Sequence, residues 1–256
     1  MPYAQGMSSF PIVLIGGAGP PSAREFASLI AALGPARRIV PLDMVVFHGG
    51  QPPSNFSMAI ETSALLRSMD EISAGRAHLV GYSGGAAVAL AFACDHPGRV
   101  ASVTLEEVAW IGSDGATALE ERFWRDLTAA MALEPYQALL GFRDLMVQPQ
   151  VRASLPAVAE DAPWIRSLVD GVRASIGAFA GAEVDWATLQ QSTFPIYALV
   201  GSLSNPVFEL RSRRLAERLP RTTVEVFEGL HHVIPPHRAA AEELAARLQA
   251  MWAQAE

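Results

Sequence analysis

The chain has 256 residues, 50% of them hydrophobic and 18% charged, with a net charge of −7. That length and composition suit one globular unit with a sizeable core and exclude a disordered chain. The acidic balance, without any concentrated basic tract, excludes the electrostatic footprint of a nucleic-acid or anionic-membrane binder and leaves small neutral or apolar partners.

The first ten residues, MPYAQGMSSF, carry neither the basic nor the apolar region of a signal peptide, so a cytoplasmic location is expected. FPIVLIG reads as a strand running into the glycine-rich GGAG, and SAREFASLIAAL as a helix. MAIETSALLRSMDEI predicts a second helix. AHLVGYS predicts a strand leading into the helical GAAVALAFACDH. Cys94, the single cysteine, rules out an internal disulfide and reads as a small buried hydrophobe. VTLEEV is the next strand. Between Trp110 and about Gln191 helical pieces follow one another with no strand between them, which predicts a helical insertion. FPIYALVG and TTVEVFEG restore the strands, and HRAAAEELAARLQAMWAQ forms the last helix. No apolar run is long enough to cross a bilayer. Short continuous apolar runs bounded by glycine and proline suit strands buried on both faces, so the pattern is α/β, with a mostly parallel sheet covered by helices.

The junction HLVGYSGGAAVALAFA carries the pattern G-x-S-x-G at Gly81, Ser83 and Gly85. There a strand turns sharply into a helix, and the small flanking residues remove side chains that would clash in the turn, which exposes the serine hydroxyl. The new helix aims its first amides at the same point, so the Gly84 N–H can stabilise negative charge developing on a substrate oxygen.

With these residues in place the chain resembles the α/β-hydrolase family, and the resemblance extends over nearly its whole length. VLIGGAG, GYSGG, DHPGRVASVTLEEV and VFEGLHHVIPP follow in the family's order. The resemblance implies a mostly parallel sheet flanked by helices, with a helical cap inserted after the sixth strand. Residues 1–110 and 192–256 would form the core domain and 111–191 the cap.

A serine hydroxyl is a weak nucleophile at neutral pH and needs a base, most often a histidine oriented by a carboxylate. The family's G-x-x-H spacing from Gly229 selects His232 over His231, although a shift of one residue in the loop would exchange them. His48, in FHGG, and His96, in DHPG, resemble family positions at a loop and a helix end and are read as structural, and His78 and His237 carry no functional signal. The histidine spacing does not suit zinc, and no cofactor is required. The family's acid commonly follows the strand FPIYALVG in a G-x-x-D turn, but this chain reads GSLSNP, with Ser204 in the acid's place and Asn205 after it. Some relatives carry the acid at the end of the preceding strand, which points to Glu107. Glu106 is the runner-up, since alternation sends neighbouring strand side chains in opposite directions, and Glu209 is third. Gly16 and Gly17 stand where the family often has His-Gly; the donor there is a backbone amide, and Ala18 is expected to supply it together with Gly84.

The insertion contains Phe123, Trp124, Tyr136, Phe142, Trp164, Phe179 and Trp186, with Trp110 at its entrance. Such helices can roof a pocket for an apolar or aromatic substrate, though the default role of aromatics at helical spacing is packing. The expectation is a serine hydrolase acting on an ester, thioester or lactone of a small hydrophobic compound. Carbon–carbon bond hydrolysis and a non-hydrolytic scaffold that binds a ligand or shapes a cyclisation are the alternatives. The sequence leaves the oligomeric state open.

Overall fold

A computed structural model describes residues 10–47 and 50–255; the expectations for the first nine residues and for His48 lie outside them. In chain order, β1 (Ile12–Ile15) is followed by α1 (Ser22–Glu25), α2 (Ala27–Leu33), β2 (Ile39–Leu42), α3 (Met58–Glu71), β3 (Ala77–Tyr82), α4 (Gly84–Asp95) and β4 (Val100–Glu106). Four helices come next: α5 (Ala118–Met131), α6 (Pro135–Met146), α7 (Ile165–Ala180) and α8 (Trp186–Gln191). Then follow β5 (Ile196–Gly201), α9 (Pro206–Arg218), β6 (Thr222–Phe227), α10 (Pro236–Ala239) and α11 (Ala241–Ala255). The strands form one six-stranded sheet in the order β2-β1-β3-β4-β5-β6, and every neighbouring pair is parallel.

The continuous apolar runs of β1, β3, β4 and β5 are wholly buried, because helices cover both faces of the sheet. Successive side chains point to opposite faces. Val13, Ile15, Leu79, Val103 and Leu105 therefore join a core with α3 and α4, while Ile12, Leu14, Val80, Tyr82 and Leu199 join another with α2 and α11. A third cluster packs α5, α6 and α7 against Val200, Val207 and Phe208. Helix α4 is apolar all round because it is buried between the sheet and α3.

Three local features depart from the sequence pattern. The edge strand β2, IVPL, has no continuous buried run, and its Pro41 suits an edge position where a missing N–H costs no ladder bond. The helix expected over SAREFASLIAAL breaks at Phe26 (φ −93°, ψ 14°), and the last helix breaks at Ala240 (φ −130°, ψ 38°). The helical stretch expected after a sixth strand follows the fourth strand of this sheet, between β4 and β5. Among the described residues no helix is long and apolar enough to cross a membrane.

Candidate active site

Ser83 sits at the junction of β3 and α4 with φ 55° and ψ −117°, a left-handed backbone that a residue with a Cβ adopts only under constraint. The surroundings supply that constraint. Its N–H donates to the Glu106 carbonyl at 2.9 Å, and its own carbonyl accepts from Ala86 at 3.1 Å and Ala109 at 3.2 Å. A Cβ at Gly81 would run into the Gly85 backbone, and one at Gly85 into the carbonyls of Ile15 and Gly16. A Cβ at Gly17 would lie 2.7 Å from that of Ser83. The glycines of the motif are thus required by close approach of the α4 backbone to those of β3, at Gly81, and β1, at Gly85.

His232 lies in the segment between β6 and α10, which returns over the same strand ends. Its Nε2 is 3.1 Å from Ser83 Oγ and its Nδ1 3.4 Å from Glu107 Oε2. Phe208 stacks on its ring, with centroids 4.6 Å apart. His231, the neighbour that a one-residue shift would substitute, turns away: its Nδ1 accepts from the Val233 N–H at 3.3 Å. Burial, against the pull of Glu107, holds the His231 imidazole below its ordinary value.

Glu107 follows the last residue of β4 and has φ 53°, so the chain turns there and its side chain diverges from that of Glu106. It is fully buried. Its Oε1 accepts from the Gly201 N–H and from the Ser204 hydroxyl, both at 2.6 Å. Ser204, which stands in the place of the family's usual acid, is therefore a donor to an acid contributed by another strand. Asn205 caps α9 through Val207 N–H at 3.0 Å and donates to the Leu145 carbonyl at 2.8 Å.

Glu106 points to the opposite face of the sheet, with Oε2 2.8 Å from His237 Nδ1. Glu209 pairs with Arg213 on the surface of α9, at 2.8 Å. Of the three candidate acids, only Glu107 meets His232. His78 and His96 take structural places, the first 2.8 Å from Ser102 Oγ and the second against Phe92. His237, silent in the sequence, is fully buried between two carboxylates. The one hint of it was the pair of acids at the end of a buried strand, where each needs a partner. Burial and like-charged neighbours hold the Cys94 thiol up at about 12, consistent with an inert side chain.

Ser83 opens onto a cavity of about 50 Å³ whose wall is almost wholly apolar. Ala18 and Gly84 line it, and neither amide N–H has an acceptor among the described residues. Of the insertion's aromatics, Phe123, Trp124, Phe142 and Phe179 face the cavity, joined by Phe47 and Phe208 from outside the insertion. Trp110 stacks on Phe179 within the core, Trp186 lies under Arg218, Tyr136 donates to the Val158 carbonyl, and Trp164 is exposed. The polar side chains at the wall are Ser83 and Ser175. Among the described residues no group of three or more His, Cys, Asp and Glu side chains could hold a metal ion.

The sequence profile described as the Alpha/beta hydrolase family matches residues 12–247. No curated protein matches the chain in sequence. Among solved structures, it is similar to the enol-lactonase from Burkholderia xenovorans, with a TM-score of 0.71 and 18% identity over 96% of this chain and 92% of that one. It is also similar to a meta-cleavage product hydrolase from Pseudomonas fluorescens, with a TM-score of 0.69 and 18% identity over 97% and 92% of the two chains. A thermophilic esterase from Thermogutta terrifontis gives a TM-score of 0.69 and 18% identity over 97% and 91%. At such identities the likeness is one of fold, and the three proteins differ in the reactions their names record.

Proposed function

Since the chain belongs to the alpha/beta hydrolase family, we propose that it is a serine hydrolase cleaving an ester, thioester or lactone of a small hydrophobic compound through an acyl-enzyme. The observation that carries this reading is the file of Ser83 Oγ, His232 Nε2, His232 Nδ1 and Glu107 Oε2, with contacts of 3.1 and 3.4 Å. The Ser83 proton passes to His232 Nε2 as Oγ bonds to the carbonyl carbon, and Glu107 holds Nδ1–H and stabilises the imidazolium. The Ala18 and Gly84 amides hold the oxyanion; one such donor is typically worth about a hundredfold or more in turnover. Collapse of the tetrahedral adduct expels the alcohol, thiol or enol, which takes the proton from His232. Water then gives its proton to His232, attacks the acyl carbon and releases the acid, restoring Ser83.

Helices α5 to α7 serve as the cap, within residues 111–191, over a core of 1–110 and 192–256. The apolar cavity wall favours an acyl group without charge. The test is hydrolysis of p-nitrophenyl esters from acetate to octanoate, with fluorophosphonate labelling, in wild type and Ser83→Ala. Turnover and labelling that vanish in Ser83→Ala support acyl chemistry. Binding of apolar ligands without labelling would support a non-hydrolytic scaffold, and labelling without ester turnover would move the substrate class to carbon–carbon bond cleavage.

A further inference from the structure

The proposed triad leaves a second buried group of charges unused. His237, at the start of α10, has Nδ1 2.8 Å from Glu106 Oε2 and Nε2 2.8 Å from Glu25 Oε1. Its backbone N–H donates to Glu106 Oε1 at 3.1 Å, and Glu25 Oε2 accepts from Arg238 at 2.5 Å. Both ring nitrogens face carboxylate oxygens, so both must donate, which only the imidazolium does. Two carboxylates, one imidazolium and one guanidinium then balance. Burial pulls the His237 imidazole down, but the two carboxylates outweigh it and raise it to about 9. Glu25 stays below the ordinary carboxylate value despite its own burial, because His237 and Arg238 face it.

One residue joins this cluster to the triad. Tyr82 is the cross-strand partner of Glu106 and immediately precedes Ser83. Its ring meets His237 at 4.9 Å and His232 at 5.1 Å, and its hydroxyl donates to the His232 backbone carbonyl. Burial, with Glu25, Glu107 and Glu106 nearby, holds the phenol well above its ordinary value, so it remains a donor.

We propose that Tyr82 is a positioning residue: its ring is clamped against the Glu106–His237–Glu25 cluster, and its hydroxyl fixes the His232 backbone so that Nε2 faces Ser83. This inference rests on the hydrolase reading of Ser83. If the ring acted only as packing, Phe would serve as well. If it positions His232, the hydroxyl is essential, because without it the His232 carbonyl loses its buried donor and the loop can shift. Displacement of a catalytic group by about 1 Å can cost on the order of a hundredfold in rate.

The experiment compares wild type with Tyr82→Phe in three measurements: ester kcat and KM, the rate of Ser83 labelling by a fluorophosphonate, and the NMR titration of the His232 ring. The expected result is a fall in kcat and labelling rate of roughly tenfold to a hundredfold at unchanged KM, with displaced His232 resonances. Wild-type kcat and labelling in a folded Tyr82→Phe protein would overturn the proposal. If the wild type neither turned over nor labelled, the hydrolase reading would fail; the His232 resonances then decide alone, and identical spectra overturn the positioning role. Should Tyr82→Phe not fold, His237→Gln loosens the same clamp while keeping the hydroxyl. It must then show the same fall in kcat at constant KM, and an unchanged kcat overturns the proposal.

Discussion

Glu107→Gln tests the acid most sharply, because the structure dictates how the amide must sit. Oε1 of Glu107 accepts from both Gly201 N–H and Ser204 Oγ–H, and a backbone N–H can only donate. The glutamine carbonyl must therefore take that place. Its NH2 then occupies the Oε2 position, 3.4 Å from His232 Nδ1. Two donors would oppose each other there unless the imidazole moved its proton to Nε2, leaving that nitrogen unable to accept from Ser83. The charge that stabilises the imidazolium is lost as well. The corresponding acid-to-amide change in the Ser-His-Asp triad of serine proteases costs about 10⁴ in kcat. The longer 3.4 Å contact here makes the native bond weaker, so the expected loss is on the order of 10³-fold, about 4 kcal/mol of barrier. Folding should survive, since both donors keep their acceptor. The assay is ester turnover and fluorophosphonate labelling across pH, with thermal unfolding as the control for integrity. A folded Glu107→Gln protein within tenfold of wild type would refute the assignment, whatever value Glu106→Gln gave.

Glu120 is the buried carboxylate between Arg211, at 3.5 Å, and Arg214, which bonds it directly. Glu120→Gln strands two buried guanidinium groups, a loss of about 3–5 kcal/mol that should lower the Tm by roughly 10 °C; an unchanged Tm would show that the pair contributes nothing net. For His237, the folded value near 9 exceeds the ordinary 6.5, so the native state binds the extra proton between these limits. Its stabilisation, on the order of 3 kcal/mol, is complete below pH 6.5, declines as pH rises and is gone above about 9. Denaturant unfolding from pH 6 to 10 should show this slope in wild type and not in His237→Gln, and equal slopes would refute it. Phe142→Ala enlarges the cavity beside Ser83, and the acyl length giving the highest kcat/KM should move from shorter to longer p-nitrophenyl esters; an unmoved optimum would place the acyl group elsewhere.

How much could be read from the chain alone follows the range of the forces involved. The turn around Ser83 was legible because its signature, Gly81, Ser83 and Gly85, lies within five consecutive residues, although the backbone contacts that require those glycines come partly from β1. The buried strands were legible because covering both faces of a sheet demands continuous apolar runs. His232 was singled out over His231 only by the G-x-x-H spacing that the family resemblance supplies from Gly229. The edge strand β2 was not legible, since half-exposed residues and Pro41 leave no such run. The pocket's Phe47 and Phe208 come from segments on either side of the insertion they face, and no local pattern marks them as lining.

The choice between Glu106 and Glu107 shows where local information stops. Alternation states that they diverge, but which one meets His232 depends on the φ of 53° at Glu107 and on what packs against each face. Ser204 could be seen as a missing acid in the sequence; only the fold makes it a donor to Glu107. His237, Glu106 and Glu25 lie on three separate elements, and nothing in their flanking residues marks them as partners. The sequence by itself determined the α/β pattern, the elbow and its serine, because backbone sterics and hydrophobic periodicity act over a few residues. The tertiary structure alone decided which buried charges meet, because a desolvated carboxylate is stable only beside a donor or cation that the fold brings from elsewhere in the chain.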